Sequence, residues 1–273
     1  MLSLAEHEIV IRLGAFASVL VALAVLEASL PRKKRRHPRA GRWVTNLLLV
    51  VIDNIALRIF VPVSAMTAAV YFESKGWGLF NLLGWTQWLE IVLSVLLLDM
   101  LVYWQHVLTH RITFIWTFHR VHHADPDFDV TTAVRFHPVE IVLSMLYKLV
   151  CIWVLGPAAV AVFAFEVLLN ACAMFNHANL NLPDRLDRLI RIVLVTPDMH
   201  RVHHSVLPHE QNSNFGFGLS VWDKIFSTYT IQPEDGHENM RIGLATEQTG
   251  RPASLKWSLF EPFASLRGRD RQQ

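Results

Sequence analysis

His119-Arg120-Val121-His122-His123 recurs unchanged as His200-Arg201-Val202-His203-His204, 81 positions further along. On an α-helix, residues at i, i+3 and i+4 share a face, so each pentapeptide presents three imidazoles together. His106 and His110 form a further i,i+4 pair, and His177 lies between the two copies. Ten of the fourteen histidines fall between positions 106 and 204. Zinc is held by about four ligands, so the nine rings of His106, His110, His119, His122, His123, His177, His200, His203 and His204 predict two metal ions. A single HxxxH pair would be weak grounds for a metal. Two HxxHH triplets together with an HxxxH are not.

Outward from these motifs the chain reads as a membrane scaffold. It is 52% hydrophobic, only slightly above the roughly 45–50% of soluble domains. The apolar residues, however, come in runs of about 20, the length needed to cross a bilayer. Ile9 to Leu30 is the first expected span, retained rather than cleaved, because Glu6 and Glu8 stand where a signal peptide has basic residues. Pro31 to Arg39 is strongly basic and anchors the inner side under the positive-inside rule. The second span is expected at Asn46–Tyr71, with Asp53, Asn54 and Arg58 as a polar cluster on it, and the third at Trp85–Trp104. Val139–Asn176 is long enough for two spans, and Gly156-Pro157 breaks it into a hairpin. Pro183–Val195 reads as an amphipathic helix lying in the interface. The polar tail after Gln232, with Arg267, Arg269 and Arg271, is expected on the cytoplasmic surface or partly disordered.

The expected fold is therefore all-α: an integral membrane bundle of about five spans, one of them a hairpin, under a cytoplasmic histidine-rich helical cap. The expected regions are 1–84 for the first spans and basic loop, 85–232 for the catalytic region, and 233–273 for the tail. Drawn from hydropathy and charge, this topology puts every histidine cluster on one face. The net charge of +2 is small and its basic residues are clustered, so no nucleic-acid partner is implied. Cys151 and Cys172 sit singly in apolar runs and offer neither a disulfide framework nor a CxxC motif.

Imidazole suits zinc, copper, iron and nickel alike. There is no HExxH, in which a Glu beside the ligands serves as general base, and few carboxylates lie within the clusters. A site at a membrane face points to a lipid substrate, whose unactivated C–H bonds yield to iron and O2 and not to hydrolytic chemistry. A membrane zinc-dependent hydrolase stays open as the alternative. Asp99, Tyr103, His106 and His110 share a helical stripe, so Asp99 and Tyr103 are candidates to support the ligands, as is Asp198. His137 is a further candidate, as ligand or support. Asp125, Asp129 and Glu140 could likewise accept from ring N–H groups. Asp53, Arg58 and Glu166 lie in the spans left to choose the lipid.

The chain resembles the fatty acid hydroxylase / sterol desaturase superfamily of membrane di-iron enzymes. The resemblance rests on His106-x-x-x-His110, His119-Arg-Val-His122-His123, Ala133-x-Arg135-Phe136-His137-Pro138-x-Glu140 and Met199-His200-Arg-Val-His203-His204. Asn214-Phe215-Gly216 and Trp222-Asp223-Lys224-Ile225-Phe226 look like its ending. The likeness covers about residues 90–230 and is nearest in look to bacterial sterol desaturase family proteins. His177 stands alone, with Ala173 and Asn181 where the fatty-acyl 2-hydroxylases of the family show a spaced pair. The resemblance implies two non-haem irons on the nine histidines, O2 as co-substrate, and a membrane lipid (fatty acyl, sterol-like or alkylglycerol ether) to be hydroxylated or desaturated. It also implies a separate electron donor of cytochrome b5, ferredoxin or reductase type, and no catalytic side chain beyond the metal centre. The expected location is a bacterial inner membrane rather than the endoplasmic reticulum.

Overall fold

The structure is a computed structural model that describes the backbone of residues 2–269 and the side chains of residues 7–267; Arg271 and the side chain of Arg269 lie outside the described residues. All regular elements among them are helical, with three isolated β-bridges. Five segments are long and apolar enough to cross a membrane: His7–Ser29, Arg39–Leu83, Gln87–Arg111, Pro138–Leu155 and Ala159–His177. The protein is a multi-pass membrane protein.

The first long helix, α1 (Leu2–Ser29), leaves Ile9, Val10, Leu13, Val21 and Val25 exposed. In water such a face would be costly. In lipid it is the outer wall of the bundle. The second helix, α2 (Arg39–Phe60), begins seven residues before the expected Asn46 and ends well short of Tyr71. Pro62 disfavours helix at Val61, and the Ser64 hydroxyl, accepting from Thr67 N, starts a new helix α3 (Ala65–Ser74). The expected second span is thus two helices, the second packed on the later pair. Nor do Asn54 and Arg58 form a polar cluster. Both are exposed, and Asn54 donates to Val50 O on its own helix.

A short α4 (Leu79–Leu83) leads to α5 (Gln87–Arg111), which carries His106 and His110 out of the bundle at its end. Ile112 breaks the helix, and α6 (Thr113–His123) folds back beside it with the first triplet. After a 3-10 turn at Val130–Val134, α7 (Pro138–Leu155) opens on Pro138 and closes at Gly156. Gly156 has φ +62°, and a Cβ there would lie 2.4 Å from Trp77 O; only glycine allows both that φ and that approach. The next helix, α8 (Ala159–His177), delivers His177 at its last residue.

The helix expected over Pro183–Val195 forms only as α9 (Asp184–Ile190). Past Ile190 the chain leaves helix, because Val195 N bonds Gly218 O and Leu194 bridges Leu219. Its Leu186 and Leu189, with Ile192 and Val193 beyond it, are exposed. Thr196 and Pro197 then start α10 (Pro197–His203), bearing the second triplet. Three short helices follow: α11 (Pro208–Gln211), α12 (Val221–Ile225) and α13 (Gly236–Asn239).

The tail ends in α14 (Leu255–Arg269), which packs on α6 and α2. Polarity hid this helix from the hydropathy pattern. Its anchor is the buried Arg135, which donates to Val121 O, Asn46 Oδ1, Pro252 O and Ser258 Oγ. The basic stretch after α1 is likewise tied down by ion pairs. Arg39 and Arg35 reach the buried Glu27, Arg32 pairs with Asp198, and Arg42 pairs with Asp125 and Asp129.

Candidate metal centre

The nine motif histidines converge, but not as three separate faces. Five of them (His106, His110, His119, His123 and His203) bring one ligand atom each to within 4.8 Å of one another, and so do four others (His122, His177, His200 and His204). Each triplet is divided. The outer pair of α6, His119 and His123, serves the first group while His122 turns to the second. In α10 the pattern inverts: His200 and His204 go to the second group and His203 to the first. The His123 and His204 rings stack across the divide, 4.4 Å apart and 16° from parallel.

Four rings have their tautomer set by an acceptor that can only accept. His106 Nδ1 donates to Phe215 O, His203 Nδ1 to Ser213 O and His177 Nδ1 to Ala173 O, each at 2.7 Å. His119 Nδ1 donates to Glu140 Oε1 at 2.6 Å. Their Nε2 atoms therefore present lone pairs inward, as metal ligands do when the far nitrogen is held. The Nε2 atoms of His106, His110, His119 and His203 are buried without a hydrogen-bond partner. In the second group, His177 Nε2 lies 3.1 Å from His122 Nε2 and 3.2 Å from His200 Nε2. That is close to the spacing of neighbouring nitrogens around one ion with metal–nitrogen bonds of about 2.0–2.1 Å. Burial also holds the His122, His123, His200 and His204 rings well below their ordinary pKa and pushes His203 down to about 3, so all five stay neutral. Buried, neutral, convergent imidazoles fit a cation and little else.

The supporting residues are sorted differently from expectation. Glu140 touches a ring of the group, on His119. Asp99 does not; it accepts from Trp222 Nε1 at 2.8 Å and Leu219 N at 3.1 Å. Tyr103 bonds Thr228 and stacks on Phe226. Asp198 pairs with Arg201 and Arg32. Asp125 and Asp129 hold Arg42. Burial alone would raise the Asp125 carboxyl, but Arg42 and Arg135 bring it below the usual carboxylate range. His137 joins neither group; it caps α7, its Nδ1 accepting from Val139 N, and its Nε2 faces Leu259 O.

The role of the Ser213–Gly218 loop, whose Asn214-Phe215-Gly216 the resemblance already included, is what the sequence concealed. Its carbonyls at 213 and 215 orient two rings, and backbone acceptors leave no signature in side-chain spacing. Asn214, at φ +52°, shapes it by donating to Met199 O and Thr230 O. Asp223 holds it from behind, accepting from Phe215 N at 2.8 Å and Gly216 N at 2.9 Å. Phe136 covers His122 face to face, 4.6 Å away and 4° from parallel.

A cavity of about 200 Å³ reaches the first group between α5, α7 and α8. His106 and His119 line its inner end with Phe136, Phe217 and Glu140.

The fatty acid hydroxylase family matches residues 91–228, a segment that contains all nine histidines. Ornithine lipid hydroxylase OlsE of Rhizobium tropici is 24% identical over 265 residues, 93% of this chain and 76% of that protein. Alkylglycerol monooxygenase of Xenopus tropicalis is 31% identical over 150 residues, 55% of this chain and 32% of that protein. Cholesterol 25-hydroxylase of Homo sapiens is 27% identical over 142 residues, 51% of this chain and 50% of that protein. The alignments thus span about a third of that monooxygenase and half of the cholesterol hydroxylase. No solved structure matches the chain. With the family's match running through half of its length and enclosing both histidine groups, the chain belongs to the fatty acid hydroxylase family.

Proposed function

We propose that this protein is a membrane-bound di-iron oxidoreductase that uses O2 and external electrons to hydroxylate a lipid, with both histidine groups at the cytoplasmic face of a bacterial inner membrane. The observation that carries this reading is the division of nine converging imidazoles, eight of them buried, into two adjoining groups, the first at the end of a cavity bounded by membrane-spanning helices. Two iron ions, one in each group, would supply O2 activation, with two electrons from a separate cytochrome b5-, ferredoxin- or reductase-type donor.

The chain's own residues position and enclose. His106 and His119 face the cavity and no histidine of the second group lines it, so the substrate carbon meets the first group. Ala133, Phe136, Ile141 and Phe217 surround that end with apolar surface, which admits a hydrocarbon segment and excludes water. Glu140 keeps His119 in one tautomer. The relatives' printed activities are hydroxylations and a monooxygenation, which favours hydroxylation over desaturation. They act on ornithine lipid, alkylglycerol and cholesterol, so the class extends to fatty acyl, ether and sterol-like lipids. A zinc hydrolase is disfavoured because the relatives' printed activities are hydroxylations and a monooxygenation rather than hydrolyses.

Metal analysis of detergent-purified protein made without added zinc tests the reading. About two irons per chain, no haem absorbance, and a hydroxylated lipid in cells carrying the protein are expected. His203→Ala strips a ligand from the first group and His122→Ala from the second; each should lose iron and product. One zinc and no iron would overturn the proposal.

A further inference from the structure

We propose that Lys148, paired with Glu166, is a recognition site for a neutral hydrogen-bonding group of the substrate, a hydroxyl or carbonyl set well apart from the carbon to be oxidised. The inference rests on the lipid-oxidation reading and narrows its substrate class. The cavity that begins at His106 and His119 does not end in hydrocarbon: its other end is lined by Lys148, Glu166 and Asn170. Along α7 the lining residues are Glu140, Ile141, Ser144 and Lys148, with Glu140, Ser144 and Lys148 at i, i+4 and i+8. At 1.5 Å per residue the polar end lies about 12 Å from Glu140 along the helix.

The charges at that end are balanced. Lys148 Nζ lies 2.7 Å from Glu166 Oε1, Arg12 Nη2 lies 2.8 Å from Glu166 Oε2, and Arg12 Nε lies 2.8 Å from Glu8 Oε1. Two cations meet two carboxylates, so a ligand carboxylate or phosphate would bring uncompensated charge into a low-dielectric interior. An ammonium has three donors, and Glu166 takes one. A plain alkyl chain at this end would bury the remaining donors dry. A hydroxyl or carbonyl oxygen accepts from them and adds no charge. Ionisable residues at membrane depth are costly and mark functional positions; a tie between α1, α7 and α8 would explain the pairing but not its place at the end of the cavity.

Photo-crosslinking of the full-length, iron-loaded protein in detergent tests the site without turnover. The probes are hexadecanol with a diazirine beside its hydroxyl, hexadecane with a terminal diazirine, and palmitate with a diazirine beside its carboxylate. Hexadecanol should label the peptides around Ser144–Lys148 and Glu166–Asn170, and each of the other probes about fivefold less, the worth of one hydrogen bond. Lys148→Met should erase that preference and Lys148→Arg should keep it. If Lys148→Met does not fold, the double variant Lys148→Met/Glu166→Gln removes both charges and leaves Arg12 with Glu8. Equal labelling by hexadecanol and hexadecane, equal labelling by palmitate, or an unchanged preference without Lys148 would overturn the proposal. A protein that labels as expected but oxidises no lipid would lose the oxidation reading and retain this one.

Discussion

Single side chains and single carbonyls decide the quality of the histidine groups. The spacing of His106, His110 and the two triplets was legible because side-chain periodicity on a helix is a direct geometric statement. Their acceptors were harder to see. Glu140 was one candidate among several carboxylates, and Asp99 looked better placed on the α5 stripe. The fold inverts that order, since Asp99 faces Trp222 and the Ser213–Gly218 loop while Glu140 reaches His119. Glu140→Ala should lower metal affinity about 10–100-fold, the usual cost of losing such a partner, read as iron retained after dialysis against a chelator. Glu140→Gln, which keeps an acceptor, should lose less. Asp223→Ala leaves Phe215 N and Gly216 N without their acceptor. It should cost about 1–3 kcal/mol, measured as a lower melting temperature, and should release iron although Asp223 touches no imidazole.

At the level of elements, the long apolar helices were readable from composition, and their ends were readable only where a residue enforces them. Gly156 and Pro157 mark the end of α7 correctly. Pro62 did not stand out inside an apolar run, so the break between α2 and α3 was missed. The helix α14 was missed for the opposite reason: its residues look polar because much of its surface is exposed, while Trp257 and Ser258 are buried against α6 and α2. Removing residues 254–273 should therefore reach the metal centre, though they lie outside the segment shared with the family. Arg135 would lose Ser258 Oγ, and α6 would lose its outer packing. The expected outcome is a less stable protein with weakened iron retention, checked by thermal unfolding and metal analysis of the truncated chain. Gly156→Ala should destabilise without touching the site, because its Cβ would meet the backbone at Trp77.

Across the whole molecule, the long apolar helices and the segments that carry the histidines are joined by charge as well as by packing. Hydropathy showed that the basic stretch follows a span, and the positive-inside rule gave it a sufficient purpose. Asp198, the partner of Arg32, lies 166 positions away in sequence and Asp125, the partner of Arg42, lies 83 away, beyond the reach of any local pattern. Arg42 is buried against Asp125 and Asp129. Arg42→Met leaves two carboxylates buried without their cation and should cost about 3–5 kcal/mol, seen as a large loss of folded protein in detergent.

The exchange of ligands between α6 and α10 has a consequence for assembly. An ion seated in either group would fix both triplet helices, and with them most rings of the other group. The first binding event would settle the conformational entropy of both, so the second should be tighter. Titrating metal-free protein with ferrous iron should therefore yield empty and doubly filled chains, with little of the singly filled form, by native mass spectrometry. A half-filled population that dominates at one equivalent would show that the two groups load independently.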